Sequence, residues 1–173
     1  MADFAHLAPN PGKNPAGTDE VIYFIPKADV TTFAEAPGAS AATLAEANVI
    51  TTAHTLVASK FFFKIPLTMD KNNLTAETIG TAYGGVQKFT SNFFVSGLTK
   101  EQAAVFEKTN QESLIIMIPL PDGKVIQLGD KHRGARLMVN FDTGTDSSGD
   151  RGFTGIISAY GCIAIYEAAI PTS

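Results

Sequence analysis

The sequence predicts a mainly β domain, an antiparallel β-sandwich or half-barrel with one flanking α-helix. Segments rich in β-branched and aromatic residues recur along the chain, and residues 56–66 and 86–97 are the longest of them. The dipeptide Asp122-Gly123, which stands between two apolar runs, is a strong hairpin signal. Only residues 98–110 carry clear helix signals. Many strands with a single short helix are typical of a sandwich or a barrel.

The chain begins with a segment that favours an extended arm. Residues 1–19 contain several prolines and glycines with asparagines between them, a composition that favours turns over regular structure. The stretch VIYFIP at 21–26 predicts a short strand that Pro26 ends. Residues 27–50 remain ambiguous, because their alanines favour a helical turn or two while the dipeptide Pro37-Gly38 interrupts them.

The two long segments alternate with the period of a strand. In 86–97, Phe89 and Phe93 fall on one side with polar residues between them, and the other side is also mixed. Two mixed faces indicate a sheet with a partly hydrated face. Residues 56–66 alternate in the same way, and the predicted faces are Phe61, Phe63 and Ile65 on one side and Lys60, Phe62 and Lys64 on the other.

The helix prediction for residues 98–110 depends on its first turn. Thr99 and Gln102 have the spacing of a capping box, in which each side chain bonds the backbone N–H of the other residue. Ala103 and Phe106 lie on one face, which is too little apolar surface for a central helix. The helix is therefore expected to cover a sheet.

The remaining strands complete a single domain. We expect a hairpin over 114–128, a strand over 135–141 and a long final strand over 153–170 that bends at Gly161. These segments give about six strands. At 173 residues, the length favours one domain that spans residues 1–173.

Composition excludes several classes of function. The 13 basic and 17 acidic residues give a net charge of −4, so electrostatic capture of nucleic acid is not expected. No export signal or long apolar span is present, which predicts synthesis in the cytoplasm and no membrane contact. Cys162 is expected to be buried in a strand. His6, His54 and His132 have no metal-ligand spacing, and solvent contact or capping is their expected role.

The stretch FDTGTDSSGDRGFTG at 141–155 could be a metal loop, a phosphate-binding loop or a flexible crossing between strands. Its aspartates, Asp142, Asp146 and Asp150, recur at every fourth position and do not match a calcium loop. A phosphate-binding loop would lead into a helix and supply a lysine, and this loop does neither. Its glycines and short polar side chains favour the flexible crossing. We therefore predict no metal, no cofactor and no enzymatic activity.

The order of elements in the second half resembles a known family. The helix opening GLTKEQAAVFEK, the apolar strand before PDGKVIQLGD, the loop FDTGTDSSGDRGFTG and a last strand with Tyr166 are similar to the tail tube (major tail) proteins of bacteriophages. The resemblance covers residues 85–167. It implies a tail-tube-like sandwich whose copies form hexameric rings, and the rings stack into a tube that conducts the genome without specific DNA binding.

This resemblance also implies locations and partners. The protein is expected in the virion tail, with itself as main partner and with the tail sheath, tail terminator and baseplate proteins as further partners. The segments 56–66 and 86–97 are the expected channel-lining pair, through Lys60, Lys64, Lys88, Thr90 and Asn92. The arm and the glycine-rich loop are expected to contact neighbouring subunits or rings, the loop through Asp142, Asp146, Asp150 and Arg151.

Two other functions remain open at this point. A tail terminator or a capsid-surface protein could have a similar sandwich, but a terminator would cap one end without polymerising. A ligand-binding β-sandwich, such as a carbohydrate module, would usually present exposed aromatic residues. The absence of Trp and the presence of only 4 Tyr argue against that class.

Overall fold

The computed structural model describes residues 17–81, 84–144 and 149–172. It is mainly β, with 44% strand and 13% helix, and the predicted sandwich with a flanking helix is confirmed. The strands of these residues are β1 (Val21–Pro26), β2 (Val30–Thr32), β3 (Val49–Ile50), β4 (Thr55–Leu56), β5 (Phe63–Pro66), β6 (Asn73–Ile79), β7 (Val86–Ser96), β8 (Leu114–Pro119), β9 (Val125–Leu128), β10 (Arg136–Asp142), β11 (Gly152–Gly161) and β12 (Ala164–Tyr166). The α-helix, α1, is Lys100–Thr109.

The strands form two main sheets. One has six strands in the order β3-β12-β9-β8-β1-β5, and the other has four in the order β10-β11-β7-β6. All pairs in the four-stranded sheet are antiparallel. In the six-stranded sheet, only the pairing of β12 with β3 is parallel. A small third pair joins β2 to β4.

The main core lies between the two sheets. Alternating side chains of β7, β10 and β11 point inward from the four-stranded sheet, and those of β1, β5, β8 and β9 meet them from the six-stranded sheet. The central members of this cluster are Ile22, Phe24, Ile65, Phe89, Phe93, Val95, Leu114, Ile116, Leu137, Phe153 and Ile157. Burial of these apolar side chains is the principal force that holds the sheets together.

A second apolar cluster covers the other face of the six-stranded sheet. Ile115 and Met117 of β8 point into it, which explains why this strand is apolar at every position. The cover comes from the segment between β1 and β5 and from residues after β12, including Phe62 and Ile170. The ambiguous region 27–50 contributes Val30, Phe33 and Ile50 to this cover, and its remaining, mostly exposed part contains short 3₁₀ turns such as Leu44–Glu46 in place of an α-helix.

Helix α1 closes one side of the sandwich, as predicted. The capping box is present: Gln102 N–H donates to Thr99 Oγ1 at 3.1 Å, and Thr99 N–H donates to Gln102 Oε1 at 2.9 Å. Phe106 is the buried anchor, and its ring centroid lies 4.9 Å from that of Phe153. The helix thereby packs on the end of the core with only a small apolar face.

The structure corrects the predicted strand inventory in three places. Residues 56–66 are not one strand, because the chain turns between β4 and β5, where Ser59 has a φ of 65°. Strand β6 was not predicted, and the described residues contain twelve strands where about six were expected. The predicted bend at Gly161 is a corner at which the chain leaves the four-stranded sheet and enters the six-stranded sheet as β12.

Gly155 makes room for the ring of Phe93 within the core. The two residues lie directly opposite each other on β11 and β7, and a Cβ added at Gly155 would overlap that ring. We expect Gly155→Ala to lower the free energy of unfolding by about 1–3 kcal/mol, as overpacked cores do. Urea denaturation measures this loss. The double variant Gly155→Ala with Phe93→Leu should lose less than the two separate losses added together, and strict additivity would contradict the assigned contact.

None of the helices in the described ranges combines the length and the hydropathy that a membrane span requires.

Candidate channel face and sheet edge

The face of the four-stranded sheet that points away from the core is mainly polar at its centre, and the exposed side chains of Met138, Tyr160, Ile79 and Val86 lie toward its margins. Cross-strand register places its side chains in rows, because directly paired residues share a face. One row consists of Arg136, Ser158, Thr90 and Thr75, and the next consists of Met138, Ile156, Asn92 and Asn73. We call this surface the outer face. Hydroxyl and amide groups predominate at its centre.

The charges on the outer face balance. Its outward positions carry two cations, Arg136 and Lys88, and two anions, Glu77 and Asp142. Glu77 and Lys88 are directly opposite each other on β6 and β7. The face therefore has no excess of positive charge with which to bind a phosphate backbone.

Side-chain hydrogen bonds hold the edge strand β6 onto β7. Asn73 Oδ1 accepts from both the backbone N–H and the side-chain Nδ2 of Asn92, each at 3.1 Å. Thr75 Oγ1 donates to the carbonyl of Thr90 at 3.1 Å. These contacts fix the register of a strand that buries little apolar surface.

The five residues predicted to line a channel do not form one surface. Lys88, Thr90 and Asn92 share the outer face, but Lys60 and Lys64 belong to the other side of the molecule. Lys60 lies before β5 with its Nζ 3.4 Å from Asp29 Oδ2, and Lys64 pairs with Tyr23 in the six-stranded sheet. The reason is that β5 pairs with β1 and not with β7, so the two long segments are in different sheets.

The two edges of the four-stranded sheet differ. Every residue of β6 except Leu74 is exposed, and β7 is the only strand paired with it in the described part of the chain. At the other edge, the backbone N–H of Val139 in β10 donates to Asn110 Oδ1 at 3.0 Å. Strand β6 is therefore the open edge, and β10 is partly occupied by the end of α1.

The glycine-rich loop connects β10 to β11 as a hairpin within one sheet. Asp142 Oδ1 accepts from Gly144 N–H at 2.9 Å, and the carbonyl of Arg151 accepts from Gly97 N–H at 2.8 Å. Asp150 forms an ion pair with Lys71, whose Nζ lies 4.4 Å from the ring centroid of Phe94. Asp146 and most of the arm predicted for residues 1–19 lie outside the described residues. The β10 end of the loop is thus held by a local turn, and the β11 end is attached to neighbouring elements.

Two isolated residues depart from expectation. Cys162 is exposed, because the corner at Gly161 takes it out of both sheets. His54, expected at the surface or in a cap, is 3% exposed. Its position in the chain gave no signal of burial, since its partners lie far away in sequence.

His54 forms a closed hydrogen-bond network. Its Nδ1 accepts from Ala34 N–H at 3.0 Å, so Nε2 carries the proton and donates to Gln127 Oε1 at 2.8 Å. The ring stacks on Tyr166 with centroids 5.2 Å apart, and His54 N–H donates to the Tyr166 hydroxyl oxygen at 3.2 Å. Burial lowers the pKa of His54 and raises that of Tyr166. The network joins the covering layer to the six-stranded sheet with a neutral imidazole.

Within the described ranges, no group of three or more His, Cys, Asp or Glu side chains is arranged to hold a metal ion. The outer face and the open edge at β6 are therefore the candidate functional surfaces.

No family model, no curated protein and no solved structure matches this chain.

Proposed function

We propose that the protein is the structural subunit of a bacteriophage tail tube, in which copies join into rings and stacked rings conduct the genome. One observation carries this proposal: the polar, charge-balanced outer face ends at an open strand edge. An exposed edge is a template for pairing with another chain, and closure into a ring removes it.

The strand directions suit a ring. From β10 through β11 and β7 to β6, each strand is antiparallel to the next. Rotated copies placed side by side would therefore bring β6 of one copy antiparallel to β10 of the next. Pairing at this seam would continue a single sheet around the ring, with Val139 N–H exchanging its bond to Asn110 for one across the seam.

The outer face would then line the channel. Hydroxyl and amide side chains, among them Thr90 and Asn92, give a hydrated surface along which DNA can pass without being bound. Of the predicted lining residues, Lys88, Thr90 and Asn92 keep this role. Lys60 and Lys64 do not, because they lie on the other sheet.

The rest of the proposal concerns location and partners. The protein would be synthesised in the host cytoplasm and would reside in the virion tail. The ends of the tube would meet terminator and baseplate proteins, and a sheath would surround it if the tail is contractile. The loop with Asp142, Asp150 and Arg151 lies at one end of the sheet, where a neighbouring ring could contact it.

The test begins with the open edge. Thr75 Oγ1 donates a hydrogen bond to the carbonyl of Thr90, and the N–H of Asn92 donates one to Asn73 Oδ1. The backbone groups of Thr90 and Asn92 in β7 therefore face β6. Because alternate residues of a strand direct their backbone groups to opposite sides, we infer that Ala76 directs its N–H to the free edge. Ala76→Pro, which removes this donor, should leave a folded monomer but abolish ring formation.

Negative-stain electron microscopy and light scattering across a concentration series measure the effect. Wild type and the control Ala76→Val, which keeps the N–H, should form rings or hollow tubes of constant diameter. Assembly of Ala76→Pro equal to that of wild type would contradict the seam. A wild-type protein that stays monomeric throughout would contradict the proposed function and favour the terminator or ligand-binding alternatives.

A further inference from the structure

Residues 33–36 cross the six-stranded sheet without regular secondary structure, and we call this segment the strap. Phe33, Ala34 and Ala36 pack on the second apolar cluster, which covers the sheet face that is turned away from the four-stranded sheet. Within the described ranges, no backbone–backbone hydrogen bond joins the strap to the rest of the chain. Side-chain contacts therefore hold it in place.

Two polar contacts attach the strap to the described part of the chain. In the first, Ala34 N–H donates to His54 Nδ1 at 3.0 Å. The second is an ion pair, in which Lys131 Nζ lies 2.9 Å from Glu35 Oε1. Both side chains of this pair are about half exposed, so the pair contributes little to stability. The bond to His54 is therefore the principal polar attachment of the strap.

The strap forms one wall of a pocket of about 330 Å³. Residues 127–131 at the end of β9 and the corner between β11 and β12 form the other walls. Phe89 and Leu128 of the main core and Ile50 of the second apolar cluster also line the pocket. Movement of the strap away from the sheet would open the pocket and expose these apolar side chains to water.

The attachment requires a neutral imidazole at His54. Nδ1 accepts the Ala34 N–H only while it carries no proton, because a protonated imidazole has two donors and no acceptor. A proton taken up from water at Nδ1 would place two N–H donors against each other. The bond between Nε2 and Gln127 Oε1 would remain, since Nε2 is its donor in both states. Protonation therefore breaks the contact with the strap and spares the contact with β9.

The surroundings of His54 offer no compensation for a positive charge. Within the described residues, His54 takes part in no ion pair, and Tyr166, the titratable group that stacks on it, stays neutral because burial raises its pKa. The other titratable or charged groups on the surrounding elements are bonded elsewhere or exposed: Glu35 to Lys131, Asp29 to Lys60, Lys27 to the carbonyl of His132, Asp130 to the N–H groups of its own turn, and His132, Arg133 and Glu167 in solvent. Burial accordingly lowers the pKa of His54, and the ring is neutral at pH 7.5.

We propose that the strap is an acid-sensitive closure, in which protonation of His54 releases residues 33–36 and opens the pocket while both sheets stay folded. The proton comes from solvent, and its loss at neutral pH restores the bond to Ala34. Because the buried ring resists protonation in the closed state, opening and protonation are coupled. The strap lies on the six-stranded sheet, away from the outer face and the β6–β10 seam, so this inference does not rest on the proposed function.

Amide hydrogen exchange followed by NMR tests the release of the strap. The protection factor of Ala34, which corrects for the intrinsic pH dependence of exchange, should fall several-fold from pH 7.5 to pH 5.0. The amides of β8 should keep their protection, and the midpoint for Ala34 should coincide with protonation of His54 measured by its imidazole chemical shifts. Unchanged protection of Ala34 would overturn the proposal, as would an equal loss in β8, which would indicate global unfolding.

Two variants separate the roles of the two attachments. His54→Gln cannot take up a proton in this range, so the protection of Ala34 should be the same at both pH values. Lys131→Ala removes the ion pair and keeps His54, so protection should be lower throughout but should still fall on acidification. A fall in His54→Gln equal to that of wild type, or no fall in Lys131→Ala, would contradict the assignment to His54.

Binding of Nile red, an uncharged dye whose fluorescence rises in apolar surroundings, reports on the pocket itself. The fluorescence should increase in wild type over the pH interval in which Ala34 loses protection, and it should stay constant in His54→Gln. Loss of Ala34 protection without an increase in dye fluorescence would overturn the opening of the pocket.

Discussion

Phe93→Ala is expected to lower the free energy of unfolding by about 3–5 kcal/mol, the range for removal of a fully buried aromatic ring. Phe93 is 1% exposed and stands at the centre of the core between the two sheets. Because its direct neighbour on β11 is Gly155, that position has no side chain that could fill the cavity. Urea denaturation at a fixed pH measures the loss.

Phe63→Ala is the control for this prediction. The sequence analysis placed both phenylalanines on alternating faces of the two longest predicted strands. Phe63, however, is 43% exposed and contacts the rings of Phe24 and Phe61 at the edge of the six-stranded sheet. Its truncation should cost much less than that of Phe93. Equal losses for the two variants would show that the assignment of the core is wrong.

His54→Ala is expected to cost about 3 kcal/mol or more. The substitution removes a buried ring that stacks on Tyr166 and leaves the Ala34 N–H and the Gln127 side chain without their bonds to the imidazole. The conservative variant His54→Gln keeps polar groups in the same region and should lose less. A loss below about 1 kcal/mol for His54→Ala would contradict a role in holding the covering layer.

The same residue makes stability depend on pH. Burial lowers the pKa of His54 below its ordinary value of 6.5, so the unfolded chain binds a proton before the folded chain does. The contribution of His54 is therefore complete above about pH 6.5 and is lost as the pH falls through the lowered pKa of the folded state.

Thermal unfolding at pH 7.5 and at pH 5.5 measures this dependence. The wild-type midpoint should be lower at pH 5.5, and His54→Gln should show a smaller drop between the two values. Identical pH dependence in both proteins would assign the effect to other groups.

Local chemistry explains which elements could be predicted from the sequence. The alternation in β7, the capping box of α1 and the turn at Asp122-Gly123 are each specified by residues close together in the chain, and all three are present. Strand β6 has no such signature, because an exposed edge strand needs no apolar alternation. The interruption of the predicted strand 56–66 depends on a positive φ at Ser59, which serine rarely adopts.

The residues of the candidate site could be predicted where local sequence determines their position, and not where long-range pairing does. Lys88, Thr90 and Asn92 could be placed on one face because they alternate within a single strand. Lys60 and Lys64 could not, since their position depends on which strand pairs with β5. His54 is the clearest case, because Gln127 and Tyr166 are separated from it by 73 and 112 residues.

The order of strands in the four-stranded sheet has a consequence for biogenesis. Strand β11 lies between β10 and β7, yet it follows both of them, and β6, in the sequence. During synthesis, β6 and β7 leave the ribosome before β11. The second neighbour of β7 in the sheet is therefore missing until β11 has also emerged. Sheets closed by such long-range pairing fold slowly relative to helices. A nascent chain therefore lacks the complete four-stranded sheet, and with it the outer face, until translation has passed β11.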